Sequence, residues 1–147
     1  MKRFNAARHA FGKLGEAELL PLIETLLDEK LTCTEKLYDT MDAENENYLI
    51  EIKTRTARYH WDDSFIKKDG WLLPQAKIER AAKEKRKVLF YYYWKKDNSL
   101  FVLEYAPEVF ADLTPRVPSF HADKQMHYFI PGNRWKPIRK EPQASSL

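Results

Sequence analysis

The stretch YDTMDAENENYLIEIKTR, Tyr38 to Arg55, decides how the chain is read. It enters through Thr32 to Met41, a run β-branched and aromatic enough for a strand. It turns through the polar AENEN and leaves through Tyr48 to Thr54, which alternates as a half-buried strand does. On that second strand Tyr48, Ile50 and Ile52 share one face, and Leu49, Glu51, Lys53 and Arg55 share the other. Two charges therefore sit side by side on one face, roughly 7 Å apart along the backbone. Asp39 lies on the strand before the turn. If the hairpin register sets it opposite Glu51 or Lys53, two carboxylates converge on one point. A slip of one residue would turn Asp39 to the Ile52 side.

Two convergent carboxylates make a hard oxygen site suited to Mg²⁺ or Mn²⁺, which keep several waters and take further oxygens from a phosphate. Such an ion lowers the pKa of a bound water and offsets charge developing on a phosphoryl group. Lys53 beside it can orient or deprotonate the attacking water and stabilise the transition-state charge. This is equipment for metal-dependent phosphodiester hydrolysis.

Around this stretch the pattern is helix, hairpin, loop, helix, hairpin, strand, an α/β (α+β) order around one mixed sheet. Leu19, Leu20, Ile23, Leu26 and Leu27 recur at helical spacing, with Pro21 in a first turn or at a kink. Thr56 to Leu73 reads as a long polar and aromatic connection, and a structureless stretch of that length is often a functional loop. Pro74 suits the first turn of a helix through QAKIERAAKEKRK, with Glu79 and Lys83, and Arg80 and Glu84, spaced for ion pairs. VLFYYYW is apolar on both faces, as a covered central strand is, and LFVLEY returns as its hairpin partner. A short helix is expected near Pro107 to Leu113 and a final strand at MHYFIP. Residues 1–136 then form one domain, with a basic arm or short helix at 1–12 and a flexible tail at 137–147.

The chain of 147 residues fits one domain, and 44% apolar content supports a core. One cysteine, Cys33, excludes an intrachain disulfide and argues against a cysteine-based zinc site. The four histidines are scattered and read as surface or hydrogen-bonded residues. No apolar run approaches a membrane span, and the basic N-terminus lacks a following apolar segment, so an intracellular, non-secreted location is expected. A net charge of +3 permits a nucleic-acid partner. Arg55, Arg58, Lys67, Lys68 and Lys77 are the candidate phosphate contacts, with Tyr59, His60 and Trp61 available to stack on bases.

YD, eleven residues, then EIK resembles the bipartite signature of the PD-(D/E)xK nuclease superfamily over roughly Gly15 to Tyr105. Tyr38 stands where that signature often has proline. The resemblance implies a restriction-endonuclease-like αβββαβ core, a mixed central β-sheet flanked by helices, with its first strand within Leu31 to Leu37. It implies that Asp39, Glu51 and the Ile52 carbonyl bind Mg²⁺ or Mn²⁺ and that Lys53 assists the water. A glutamate on the first helix often completes such a site, here Glu16, with Glu18 as the alternative. A glutamine on the helix after the Glu-x-Lys strand, here Gln75, often contacts the water or a phosphate. The implied activity is that of a DNA endonuclease, and a homodimer would let so small a domain cut both strands. The alternative is a catalytically inactive nucleic-acid-binding or protein-interaction domain on the same fold, since Glu-x-Lys alone is common on exposed strand faces.

Overall fold

The structure is a computed structural model and describes residues 19–33, 42–55, 61, 70–96, 98–118 and 125–139. Helix α1 (Leu19–Leu27) buries Leu19 and Ile23, four residues apart on one face. Asp28 ends it in the left-handed conformation, φ 57°. The Glu24 carboxylate then accepts the Leu31 N–H at 2.8 Å and turns the chain back toward the sheet.

The main sheet is built in the order β1 (Thr32–Cys33), β2 (Ala43–Glu44), β3 (Tyr48–Arg55), β5 (Lys87–Trp94), β6 (Ser99–Glu104) and β8 (Lys136–Arg139). β1, β2 and β3 pair antiparallel, β3 and β5 pair parallel, and β6 and β8 continue antiparallel. It is a mixed sheet in an α/β domain. Between β3 and β5 the chain passes through β4 (Trp71–Pro74) and helix α2 (Gln75–Ala82), the crossover a parallel pair requires. Helix α3 (Pro107–Phe110) follows β6, and β7 (His127–Ile130) pairs with β4 in a separate two-stranded ribbon.

The alternation of β3 and β5 divides the core into two layers. Ile50, Ile52, Leu89, Tyr91 and Tyr93 face α1 through Leu19 and Ile23. Leu49, Val88, Phe90, Tyr92 and Trp94 face the other way, against Ile78 and Ala81 of α2, Trp71 and Leu73 of β4, and Phe110 of α3. Trp71 is the hub of that second layer, with ring centroids 4.8–5.3 Å from those of Tyr92, Trp94, Phe101 and Trp135. Such edge and stacked geometries add to the area these rings bury.

The two faces of β3, the doubly covered β5, its hairpin with β6 and a helix at Pro107 are as the sequence implies. Four expectations change. WLLP is not the end of a loop but a strand, since its backbone pairs with His127–Ile130. Pro74 is the last residue of that strand and the N-cap of α2, not a first-turn residue. MHYFIP is not the last strand, and the tail does not begin at 137, because Lys136–Arg139 adds β8 to β6. Within AENEN, Ala43 is fully buried and Ala43–Glu44 is strand, so the turn is shorter than the polar run. The residues 1–18 and 34–41, most of the connection 56–69, and 140–147 lie outside the described residues.

Candidate functional site

The site is set by the β2–β3 turn. Asn45 N–H donates to the Tyr48 carbonyl at 3.0 Å, leaving Glu46 and Asn47 at the tip. The Asn45 carboxamide oxygen accepts the N–H groups of Asn47 (2.8 Å) and Tyr48 (2.7 Å), the way asparagine builds a turn. Its amide nitrogen donates to Glu29 Oε1 and to the Lys30 carbonyl, both at 2.9 Å. Arg86, beyond α2, donates to the Asn45 carbonyl and to Glu44 Oε1, both at 3.0 Å. Held from three sides, the turn fixes the register Ala43↔Ile50 and Glu44↔Leu49.

Continuing that register puts Asp42 opposite Glu51. Asp42 N–H donates to the Ile50 carbonyl at 2.9 Å, and Asp42 Oδ2 accepts the Ile52 N–H at 2.7 Å. The Asp42 and Glu51 carboxyl groups are within hydrogen-bonding reach of each other. Glu51 is only 7% exposed. Burial first, then the Asp42 charge, push its carboxyl well above the usual carboxylate range, and the Lys77 ammonium opposes them. Lys77, on α2, reaches Glu51 Oε1 at 3.1 Å.

Lys53 is half-buried two residues on, on the side of β3 that carries Glu51 and in register with Tyr92. Arg55 follows on the same side, its guanidinium carbon 5.8 Å from the centroid of the Trp94 ring. Burial pushes the adjacent Tyr92 phenol up to about 12, and the Arg55 charge acts against that rise. Gln75 opens α2, and its backbone N–H donates to the Met126 carbonyl at 2.9 Å. Trp61 packs against Phe101, ring centroids 5.5 Å apart, which ties it to the core.

The structure thus brings together Glu51, Lys53 and Lys77. Lys77 enters as an ion-pair partner of Glu51. Arg55 lies along the aromatic core. Asp39, Glu16, Glu18, Arg58, Lys67 and Lys68 lie outside the described residues. Helix α1 packs on the Ile50 and Ile52 face, across the sheet from Glu51.

The residue that sequence reasoning missed is Asp42. The signal was Asn45: read as the start of a side-chain-built turn, it makes Asn45 and Tyr48 partners, and counting back three places gives Asp42 and Glu51.

The donor set fits a small hard cation. Two carboxylates meet, one of them buried, and the Ile52 carbonyl is the next backbone oxygen along the strand. Among the described residues no group of three or more His, Cys, Asp or Glu could hold a metal. The pair suits Mg²⁺ or Mn²⁺, whose remaining ligands come from water and phosphate, better than a closed structural zinc site. No described helix is long and apolar enough to cross a membrane. No family model, curated protein or solved structure matches the chain significantly.

Proposed function

We propose that this chain is a metal-dependent nuclease of the PD-(D/E)xK type that hydrolyses phosphodiester bonds in DNA, acting as an endonuclease. The observation that carries the reading is the meeting of Asp42 and buried Glu51 on the strand face that also bears Lys53. A buried carboxylate raised by a second carboxylate is costly to keep, and such perturbed pairs cluster at functional sites.

The connectivity supports it as well. A helix, three antiparallel strands, a crossover helix and a parallel strand follow in the order αβββαβ when the β4 ribbon strand is set aside as an insertion. The Glu-x-Lys strand is then the central one, next to the parallel partner, as that fold requires.

In this mechanism Asp42 and Glu51 would hold Mg²⁺ or Mn²⁺, with the Ile52 carbonyl as the adjoining backbone donor. The ion would supply Lewis acidity toward a phosphoryl oxygen and toward a bound water. Lys53 orients the attacking water and offers positive charge where the phosphorane charge develops. The buried walls, Phe90 and Tyr92 of β5 with α2 above, lower the local dielectric and strengthen those charges. Asp39, Glu16 or Glu18, and Gln75 keep the roles the resemblance implies, as additional ligands or contacts to water and phosphate. Arg55, Arg58, Lys67 and Lys68 remain proposed contacts to the nucleic-acid backbone, and a homodimer remains the proposed means of cutting both strands.

One observation favours the second reading, a noncatalytic binding domain on the same fold: Lys77 already neutralises Glu51. Incubation of duplex DNA with the purified chain separates the two. Cleavage that requires Mg²⁺ or Mn²⁺ and stops with EDTA supports the nuclease. Salt-sensitive binding with no metal-dependent cleavage supports the binding domain.

A further inference from the structure

Lys77 lies in the first turn of α2, next to Ile78, which is buried in the layer that includes β3 and β5. Its amine spans the helix–sheet gap to Glu51 Oε1 at 3.1 Å, and its side chain is 21% exposed against 10% for Glu51. One end of the pair is therefore fixed in the sheet, while the other is the more exposed and sits on a flexible stem. The acidic pair carries up to two negative charges, and the Lys77 ammonium pairs with Glu51, with Lys53 on the same strand face. An ammonium answers only one of them, and a divalent ion answers both.

We propose that Lys77 is a tethered counter-ion for the Asp42–Glu51 pair, holding it together before metal arrives and giving up Glu51 when a divalent cation binds. This rests on the proposed metal centre. The three groups describe an exchange. With no metal, the Lys77 ammonium sits at Glu51 Oε1. With metal bound, the ion takes that oxygen, and the ammonium swings outward by rotation of its own stem, since α2 need not move. The released cation then stays beside the site, tethered to α2. Metal affinity is consequently lower than the two carboxylates would give alone, and the empty site is protected from carboxylate repulsion.

The test uses Mn²⁺ alone as the probe, with the full chain, measured by calorimetric titration and thermal melting. Glu51→Gln reports on the metal centre itself, and Lys77→Met reports on the exchange. Methionine preserves helix propensity and stem length on α2 while removing the charge. The account expects Glu51→Gln to abolish Mn²⁺ binding and Lys77→Met to bind Mn²⁺ about fivefold or more tightly than wild type. Without metal, Lys77→Met should melt below wild type, and it should gain more from added Mn²⁺.

A readout on the unaltered chain stands beside these: acylation of the Lys77 amine, followed by peptide mass spectrometry, should speed up severalfold when Mn²⁺ is added. Loss of binding in Glu51→Gln with unchanged or weaker binding in Lys77→Met, or Lys77 acylation indifferent to Mn²⁺, overturns the exchange and leaves the metal centre standing. Wild-type affinity in Glu51→Gln, or no Mn²⁺ binding by wild type, overturns the metal centre and the exchange with it.

Discussion

The Asp42 carboxylate accepts the Ile52 N–H at 2.7 Å, one residue past Glu51 on the facing strand. A single side chain thus does two things: it ties β2 to β3 just beyond the described pairs Ala43↔Ile50 and Glu44↔Leu49, and it places a carboxylate against a buried one. The two roles separate by substitution. Asp42→Asn keeps an oxygen for the Ile52 N–H and loses the charge, so it should fold as wild type does. Its metal-dependent cleavage should fall at least about 100-fold. Asp42→Ala also orphans a half-buried N–H and should lose about 1–3 kcal/mol of stability. Denaturant titration of both variants beside the cleavage assay checks the pair.

Glu51 carries a pH signature. Its carboxyl is raised in the folded chain by burial, then by Asp42, so between the ordinary value of 4.5 and the raised one the folded state binds a proton that the unfolded state releases. Stability from this group is therefore full below the unfolded value and falls as pH rises through that window. Glu84 runs the other way. Hydrogen bonds from Arg86 hold it well below the usual range despite burial, so its contribution is present above 4.5 and lost on acidification. Comparing Glu51→Gln with wild type at each pH cancels Glu84. The variant should melt higher than wild type at pH 7.5, with the gap closing toward pH 4.5. Parallel melting curves across that range would contradict the assignment.

Asn45 is the register lock. Its side chain makes four hydrogen bonds within the β2–β3 turn and to the Glu29–Lys30 segment. Asn45→Ala should cost about 2 kcal/mol, several bonds being partly exposed and replaced by water. It should also weaken Mn²⁺ binding, although Asn45 touches neither carboxylate. A variant that loses stability but binds Mn²⁺ as wild type does would show that Asp42 finds Glu51 without the turn.

In the proposed mechanism Lys53 acts on the water rather than on the ion. Lys53→Met should therefore retain Mn²⁺ affinity while losing cleavage at least about 100-fold. Equal losses of both would mark Lys53 as part of the binding site's structure. Calorimetry and the cleavage assay on one preparation decide it.

Gly70 is a control outside the proposed site. It enters β4 at φ 92°, and a Cβ there would sit 3.0 Å from the Ile130 carbonyl oxygen. Gly70→Ala should cost about 1–3 kcal/mol by straining the β4–β7 ribbon, which a urea titration reads directly.

What the sequence made legible followed from periodicity. The faces of β3, the buried β5 and its hairpin with β6 each carry alternation or a continuous apolar run, and those patterns are local. What it hid depends on partners. WLLP is too short to announce itself as a strand and becomes one by pairing with residues far along the chain. Lys136–Arg139 is a polar edge strand, charged as edges are, and so looked like tail. The Glu-Ile-Lys face was legible, but which residue the turn sets opposite Glu51 was not. That choice turns on where the hairpin closes, and the closing is done by the side chain of Asn45 with Glu29, Lys30 and Arg86, three positions brought in by the fold. The role of Lys77 was hidden for the same reason, because its distance from Glu51 is set by how α2 docks on the sheet.

The most direct test of the metal centre is cleavage of end-labelled duplex DNA in Mn²⁺ by wild type, Asp42→Asn and Glu51→Gln at matched concentration, with EDTA controls. The account predicts cleavage by wild type alone, abolished by EDTA, with both variants folded and inactive. Cleavage by Asp42→Asn and Glu51→Gln at the wild-type rate would contradict it.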